Sequence, residues 1–399
     1  MFEIAKDIFW VGIKHWTLKY FHGYELSTQN GSTYNAYLIK DEKTVLVDTV
    51  WYPFADEFAG NLEAEIGLAN IDAIIINHIE PDHGGSLARL FECGLKPDTP
   101  VYCSKPGVDI IKKYFHHDDW NFQPVNTGDT LKIGKYELVF YDLRMIHWPD
   151  SMMTYVKGAE TLLSNDAFGQ HYCTSGFFDD EVDGTILYKE ALKYFAGILA
   201  PFTKLIERKI QDLLALDLPV GIIAPSHGVI WRANPEYIIG KYLEWSKDYN
   251  DGSVAIIYDC LYEATRAIAG AIAQGLANRG VRYKISNAGN SDISDLITDL
   301  FCAGGMIIGS STINNTMHRS IAGLLDDIRG HKLKGKIGAS FGSYGWSGEA
   351  PKLIAEEMTR AGVGLIGEPV RIQYAPTADE LKDCVAFGER FADALKVPK

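Results

Sequence analysis

Residues 71–85 read IDAIIINHIEPDHGG. The apolar run ending at Ile76 is short, rich in β-branched side chains and unbroken, so it predicts a strand buried on both faces. Directly behind it come four side chains with lone pairs to offer: His78, Glu80, Asp82 and His83. Positions 78, 80 and 82 alternate, His83 follows at once, and Pro81 with the Gly84-Gly85 pair fits a constrained turn. A tight turn can therefore make all four converge. Loops at the ends of buried strands are where α/β folds hold reactive groups, because the strand is rigid and the loop is free to vary.

The rest of the chain sets the frame. With 399 residues, 47% hydrophobic and 23% charged, it has the composition of a globular protein with two or three cores. A net charge of −14 argues against nucleic acid or an anionic membrane as partner. No apolar stretch approaches the ~18 residues a bilayer requires, and the N-terminus does not read as a secretory signal. A cytoplasmic protein is the expectation. Six scattered cysteines without a CxxC pair make a disulfide framework, a zinc ribbon or an iron–sulfur cluster a poor fit.

Charge also divides the chain. Residues 1–250 carry 22 Lys and Arg against 35 Asp and Glu, whereas residues 251–399 carry 16 against 17. The seam falls in WSKDYNDGSVAIIYD (245–259), where a polar, turn-rich stretch gives way to a buried strand from Val254. Beyond it the pattern alternates. Ile268, Ile272 and Leu276 form a helical stripe closed by Gly280; strands at 304–311 and 336–343 alternate with helices in IAGLLDDIRG and APKLIAEEMTRAG, the latter ended by Gly362. That rhythm predicts a doubly wound parallel sheet. Residues 1–250 instead mix helices (186–199, 203–216) with hairpins in NAYLIKDEKTVLVDTV and KIGKYELVFYDL.

The turn at 78–83 resembles the metallo-β-lactamase signature H-x-[HE]-x-D-H, and further positions match in order: His147 in RMIHWPDSM, Asp166 in LLSNDAFGQH and His227 in IIAPSHGVIW. Glu80 stands where a zinc hydrolase carries histidine. A carboxylate-rich, mixed N/O set suits harder ions and stabilises ferric iron. HIEPDHGGS with SNDAFGQH is similar to the flavodiiron protein family, and the resemblance runs from about residue 3 to 395. It implies one iron on His78, Glu80 and His147, a second on Asp82, His83 and His227, and Asp166 bridging. His22, Tyr194 and His171 match or lie near family pocket positions. In fold terms it implies an α+β part, a metallo-β-lactamase-like αββα sandwich over 1–250. An α/β part follows, a flavodoxin-like doubly wound sheet over 251–399.

For the second part the cofactor implied is FMN. Cys260, Leu261, Tyr262, Glu263, Ala264 and Thr265 take the place of a phosphate loop, although Glu263 beside a phosphate is repulsive unless it turns outward. Two further loops at strand ends resemble family flavin loops. One is Ser311, Thr312, Ile313, Asn314 and Asn315; the other is Ser343, Tyr344, Gly345, Trp346, Ser347 and Gly348, with Tyr344 and Trp346 as stacking faces.

The resemblance implies reduction of dioxygen to water, of nitric oxide to nitrous oxide, or both. Two ferrous ions and a reduced flavin together hold the four electrons that one dioxygen takes. It implies a separate donor, rubredoxin or a reduced deazaflavin coenzyme, and a head-to-tail homodimer or a dimer of such dimers. Arg329, Lys332, Lys334 and Lys336 suggest a basic docking patch for an acidic donor. The rival readings are a dizinc hydrolase with a flavodoxin-like appendage and an FMN electron carrier with a vestigial first domain.

Overall fold

A computed structural model describes residues 1–21, 23, 26–333 and 335–395. His22 and Lys334 lie outside the described residues. The chain forms two compact units: Met1–Phe21, Thr28–Tyr194 and Lys204–Leu243 make the first, and His22–Ser27, Phe195–Thr203 and Glu244–Lys399 the second. Among the described residues, no helix is long and apolar enough to cross a membrane. All six cysteines are free thiols.

The first unit is built on two sheets. One has seven strands in the order Phe2–Ala5, Ile8–Trp10, Tyr37–Lys40, Thr44–Val47, Ala73–Ile76, Val101–Ser104 and Phe122–Val125. It is antiparallel up to Thr44–Val47 and parallel from there on. The other runs Thr130–Lys132, Glu137–Asp142, Met152–Lys157, Thr161–Asn165 and Ile222–Pro225, with only the last pair parallel. Alternate residues from both sheets meet in one core, Tyr37, Ile39, Val45, Val47 and Ile75 against Leu138, Phe140, Met152, Val156 and Leu163. Their neighbours Leu38, Leu46, Ile74 and Ile76 are buried as well. A strand buried on both faces explains the unbroken apolar run before His78. The parallel strands are joined by the helices Ala55–Ile66, Leu87–Cys93 and Lys105–Phe115, the last capped by Ser104, whose Oγ accepts from the Gly107 amide at 3.2 Å.

The second unit carries a parallel sheet in the order Tyr283–Asn287, Val254–Asp259, Gly305–Ser310, Ile337–Tyr344. Two short strands, Gly364–Leu365 and Val370–Gln373, share the far edge of Ile337–Tyr344 as a broken fifth strand. The chain starts in the middle and winds both ways, so a topological switch point lies beside Val254–Asp259. Ile268, Ile272 and Leu276 of helix Ala264–Asn278 are fully buried against Val254, Ile256 and the helix Ala378–Ala394. Each such side chain contributes roughly 2 kcal/mol of apolar burial.

Candidate functional site

Every chemistry-bearing turn of the first unit follows the carboxyl end of a strand. His78 and Glu80 leave Ala73–Ile76, Asp82 and His83 ride the one-turn helix Pro81–Gly84, Asp166 follows Thr161–Asn165, and His227 follows Ile222–Pro225. His147 comes from the loop between Glu137–Asp142 and Met152–Lys157. The turn at 80–84 is pinned from below, since both the amide and the hydroxyl of Thr49 donate to the His83 carbonyl, at 2.7 and 2.6 Å. Asn165, immediately before Asp166, holds a left-handed φ of 54°. Non-glycine residues in that region cluster at functional sites, where the surroundings over-determine them.

These turns bring seven side chains together as two sets, His78, Glu80, His147 and Asp166 in one and Asp82, His83 and His227 in the other. Glu80 Oε2 lies 3.1 Å from His78 Nε2 and 3.2 Å from His147 Nε2. Asp82 Oδ2 lies 3.3 Å from His83 Nε2 and 3.0 Å from His227 Nε2. Asp166 faces both sets. Its Oδ2 stands 3.8 Å from His78 and from His147, while its Oδ1 stands 3.0 Å from His83 and 3.6 Å from His227. One carboxylate thus addresses both clusters with separate oxygens.

The outer nitrogens fix which lone pairs point inward. Thr33 O can only accept, so His227 Nδ1 at 2.6 Å must donate, leaving Nε2 bare toward the cluster. His78 Nδ1 meets Asp150 Oδ1 at 3.0 Å, and the other Asp150 oxygen takes the Ile79 amide at 2.8 Å. Burial alone would lower His78, but hydrogen bonds to Asp150 and Glu80 outweigh it and hold the imidazole well above its ordinary range. Burial likewise opposes protonation of His83, yet the carboxylates of Asp82 and Asp166 raise it to about 9. Asp166 would be raised by burial, but the imidazoles of His83, His147 and His227 hold it well below the usual carboxylate range.

Two metal ions fit this cluster. Three buried carboxylates packed among four imidazoles are costly without compensating cations. Both ring nitrogens of His83 and of His147, and Asp82 Oδ1, are buried without a hydrogen bond. Donor atoms ~3.0 Å apart match the edge of an octahedron with metal–ligand bonds of ~2.1 Å. Mixed nitrogen and oxygen donors suit iron.

Around this centre, the Tyr194 ring lies 6.1 Å from His227 and 5.1 Å from His171, and burial followed by the nearby Asp166 pushes its phenol well above the ordinary value. His171 sits 4.9 Å from the His227 ring, with Nδ1 2.7 Å from Ser32 Oγ. Both are thus beside the cluster. Asp150, Thr33 and Thr49 escaped sequence reasoning, because a lone Asp or Thr carries no motif.

In the second unit a pocket of about 850 Å³ opens at the switch point. Of the expected flavin residues, Leu261, Tyr262, Glu263, Ala264, Ser311, Thr312, Ser343, Tyr344, Gly345 and Trp346 line it. Cys260, Thr265, Ile313, Asn314, Asn315, Ser347 and Gly348 do not. Thr265 is fully buried beneath, its hydroxyl 2.8 Å from Ser343 Oγ. Asn314 and Asn315 form a left-handed turn, and Asn315 donates to Glu349 at 3.3 Å. Glu263 pairs with Arg266 on its own helix, so its charge is turned to a partner. The exposed aromatic faces of Trp346 (89%) and Tyr262 (84%) stand at the mouth. Sequence reasoning missed Tyr374, Ala375 and Pro376, which complete the wall after the edge strand Val370–Gln373.

One expectation is corrected. Lys336 belongs to no docking patch, since it is buried and donates to the carbonyls of Phe301 at 2.8 Å, Ala303 and Tyr249. Arg329 is engaged by Asp326 and lies 4.0 Å from Glu357.

Residues 33–228 match the family model described as ODP family beta lactamase, and residues 256–388 match that of flavodoxin. The anaerobic nitric oxide reductase flavorubredoxin of Klebsiella pneumoniae is 45% identical over 392 residues, covering 98% of this chain and 81% of that protein. Rubredoxin oxygen:oxidoreductase from Desulfovibrio gigas superposes with a TM-score of 0.95 at 33% identity over 98% of both chains. The flavodiiron protein from Giardia intestinalis does so with 0.93 at 32% identity, over 98% of this chain and 96% of its own.

Proposed function

This chain belongs to the flavodiiron protein family, and on that premise we propose that it reduces nitric oxide to nitrous oxide, dioxygen to water, or both. His78, Glu80 and His147 would hold one iron and Asp82, His83 and His227 the other, with Asp166 offering one oxygen to each set. FMN would be held in the pocket at the switch point. Iron held there would supply Lewis-acid and redox chemistry for the gas, and bound flavin would supply electron transfer from an outside donor. The observation that carries this reading is the Asp166 carboxylate, whose two oxygens face separate donor sets that each include a further carboxylate.

The chain's own groups do the rest. Asp150 and Thr33 orient two imidazoles so that their Nε2 lone pairs face the centre. Tyr194 keeps its proton on the phenol oxygen and donates a hydrogen bond with it to Asp166, which helps hold that carboxylate between the two donor sets. Glu80 in place of imidazole speaks against a dizinc hydrolase.

Electrons come from a separate donor, a rubredoxin-type protein or a reduced deazaflavin coenzyme. The protein works in the cytoplasm as a head-to-tail dimer or a dimer of such dimers. Anomalous scattering on either side of the iron K-edge, together with anaerobic turnover on chemically reduced rubredoxin with each gas in turn, tests the reading. Iron at both positions and consumption of at least one gas are expected. Zinc there, or no gas consumed, would overturn it.

A further inference from the structure

Beneath the flavin pocket lies a second polar constellation that the reading above does not use. Ser311, in the pocket wall, accepts the Leu261 amide at 3.3 Å, and its Oγ lies 2.9 Å from His318 Nε2. His318 Nδ1 in turn lies 3.5 Å from Asp259 Oδ2. Asp259 is itself held, its Oδ1 accepting the Cys260 amide at 2.7 Å and its Oδ2 the Ser320 hydroxyl at 2.5 Å. The His318 amide donates to Ser310 Oγ at 3.0 Å, which fixes the imidazole at the start of helix Arg319–Gly330. Asp259, Ser311 and His318 are thus locked from several sides, and one end of the chain of contacts faces the cofactor.

The pocket lining contains no lysine or arginine among the described residues, and its one acid, Glu263, is paired with Arg266. A phosphate bound at the start of helix Ala264–Asn278 would meet amides and hydroxyls but no permanent positive charge. Of the elements packed against helix Arg319–Gly330, strand Val254–Asp259 brings Asp259, strand Gly305–Ser310 and the turn Ala288–Asn290 bring no charge, and helix Ile293–Cys302 carries Asp295 and Asp299. Helix Ala350–Arg360 carries Lys352, Glu356, Glu357 and Arg360, and Arg319 follows His318 in its own helix. Among these described residues, Asp259 is the one that forms an ion pair with His318.

We propose that His318 is a positioning residue for the FMN phosphate, acting through the Ser311 hydroxyl. The argument rests on the FMN assignment above. When the imidazole is neutral with its proton on Nδ1 toward Asp259, Nε2 accepts the Ser311 proton, and the hydroxyl can offer the pocket only a lone pair. When the imidazole carries two protons, Nε2–H donates to Ser311 Oγ, and the hydroxyl proton is free to point at an anion. Gaining one proton thereby converts Ser311 from acceptor to donor and places a cation behind it. The site then favours a phosphorylated flavin over an uncharged one.

The test titrates the flavin-stripped full-length protein with FMN and with riboflavin at pH 6 and pH 8.5, following quenching of flavin fluorescence. His318→Gln keeps a hydrogen bond but no charge. It should weaken FMN about fivefold relative to wild type at pH 6, the difference between a charge-assisted and a neutral hydrogen bond. Riboflavin should bind alike to both proteins at either pH. Comparing variant with wild type at one pH cancels titration of the phosphate itself. Ser311→Ala should remove the further effect of His318→Gln. Equal losses for FMN and riboflavin at both pH values, or no loss of FMN at either, would overturn the proposal. Failure of the wild type to bind either flavin would instead strike the cofactor assignment, and this proposal with it.

Discussion

Asp150 shows how far a single side chain outside the ligand set governs the centre. Its two oxygens hold the His78 ring and the Ile79 amide, so it sets both the tautomer of one proposed ligand and the path of the turn that carries the rest. Removing such a partner typically costs 10–100-fold in metal affinity. Asp150→Ala should therefore lower iron retention about tenfold or more under chelator challenge, with the His78 site emptied first; full retention would refute the assignment. Lys336 is the opposite case, a buried cation with three carbonyl acceptors at the end of helix Ile293–Cys302. Burial pushes its ammonium down to about 8 from 10.5. Between those values the unfolded chain binds a proton that the folded chain has shed, so stability rises with pH by about 1.4 kcal/mol per unit from this group. Relative to Lys336→Met, the wild type should show that slope in urea unfolding between pH 8.5 and 10, followed by flavin release. Parallel profiles would count against it.

At the scale of elements, the metal-bearing turns depend on backbone that no side chain can replace. A Cβ on Gly228, at φ 78°, would lie 1.3 Å from Gln170 Oε1 and 2.3 Å from its carbonyl oxygen. One on Gly85 would lie 2.0 Å from the Pro81 carbonyl that the short helix uses. Gly228→Ala and Gly85→Ala should each destabilise the first unit by about 3 kcal/mol and depress iron content. Thermal unfolding and metal analysis of each variant would check this, and a melting temperature within a degree of wild type would be a clear failure. The strands and helices of the second unit were legible because their periodicity is strong. Ala264–Asn278 shows its 268/272/276 stripe and Ile337–Tyr344 its apolar run. What escaped was set by tertiary contact. Val370–Gln373 is a half-buried edge strand, so the Tyr374 wall of the pocket gave no signal. Lys336 leads a strand whose start turns the side chain inward, a direction that spacing to Arg329 and Lys332 cannot reveal. Thr265 reads as a phosphate ligand, but the strand behind it supplies Ser343 for its hydroxyl.

On the scale of the whole molecule, the two units have separate hydrophobic cores, one between facing sheets and one between a parallel sheet and its helices. None of the described flavin-pocket residues belongs to the first unit, and none of the proposed ligands belongs to the second. Loss of metal should therefore not propagate into flavin binding. In Glu80→Ala and Asp166→Ala, removing a carboxylate leaves the imidazoles it faces, on one set for Glu80 and on both for Asp166, without its balancing charge, and breaking one partner of a buried charged set is strongly destabilising locally. Each variant should hold less than half the wild-type iron and lose gas reduction, while the flavin absorption spectrum and the midpoint for flavin release in urea stay at wild-type values. The two readings come from the same sample, so a general folding defect is separated from a local one: it would lower flavin and iron together. Retained gas reduction in both variants would remove these carboxylates from the centre. Loss of flavin in step with iron would show that the cores are not independent.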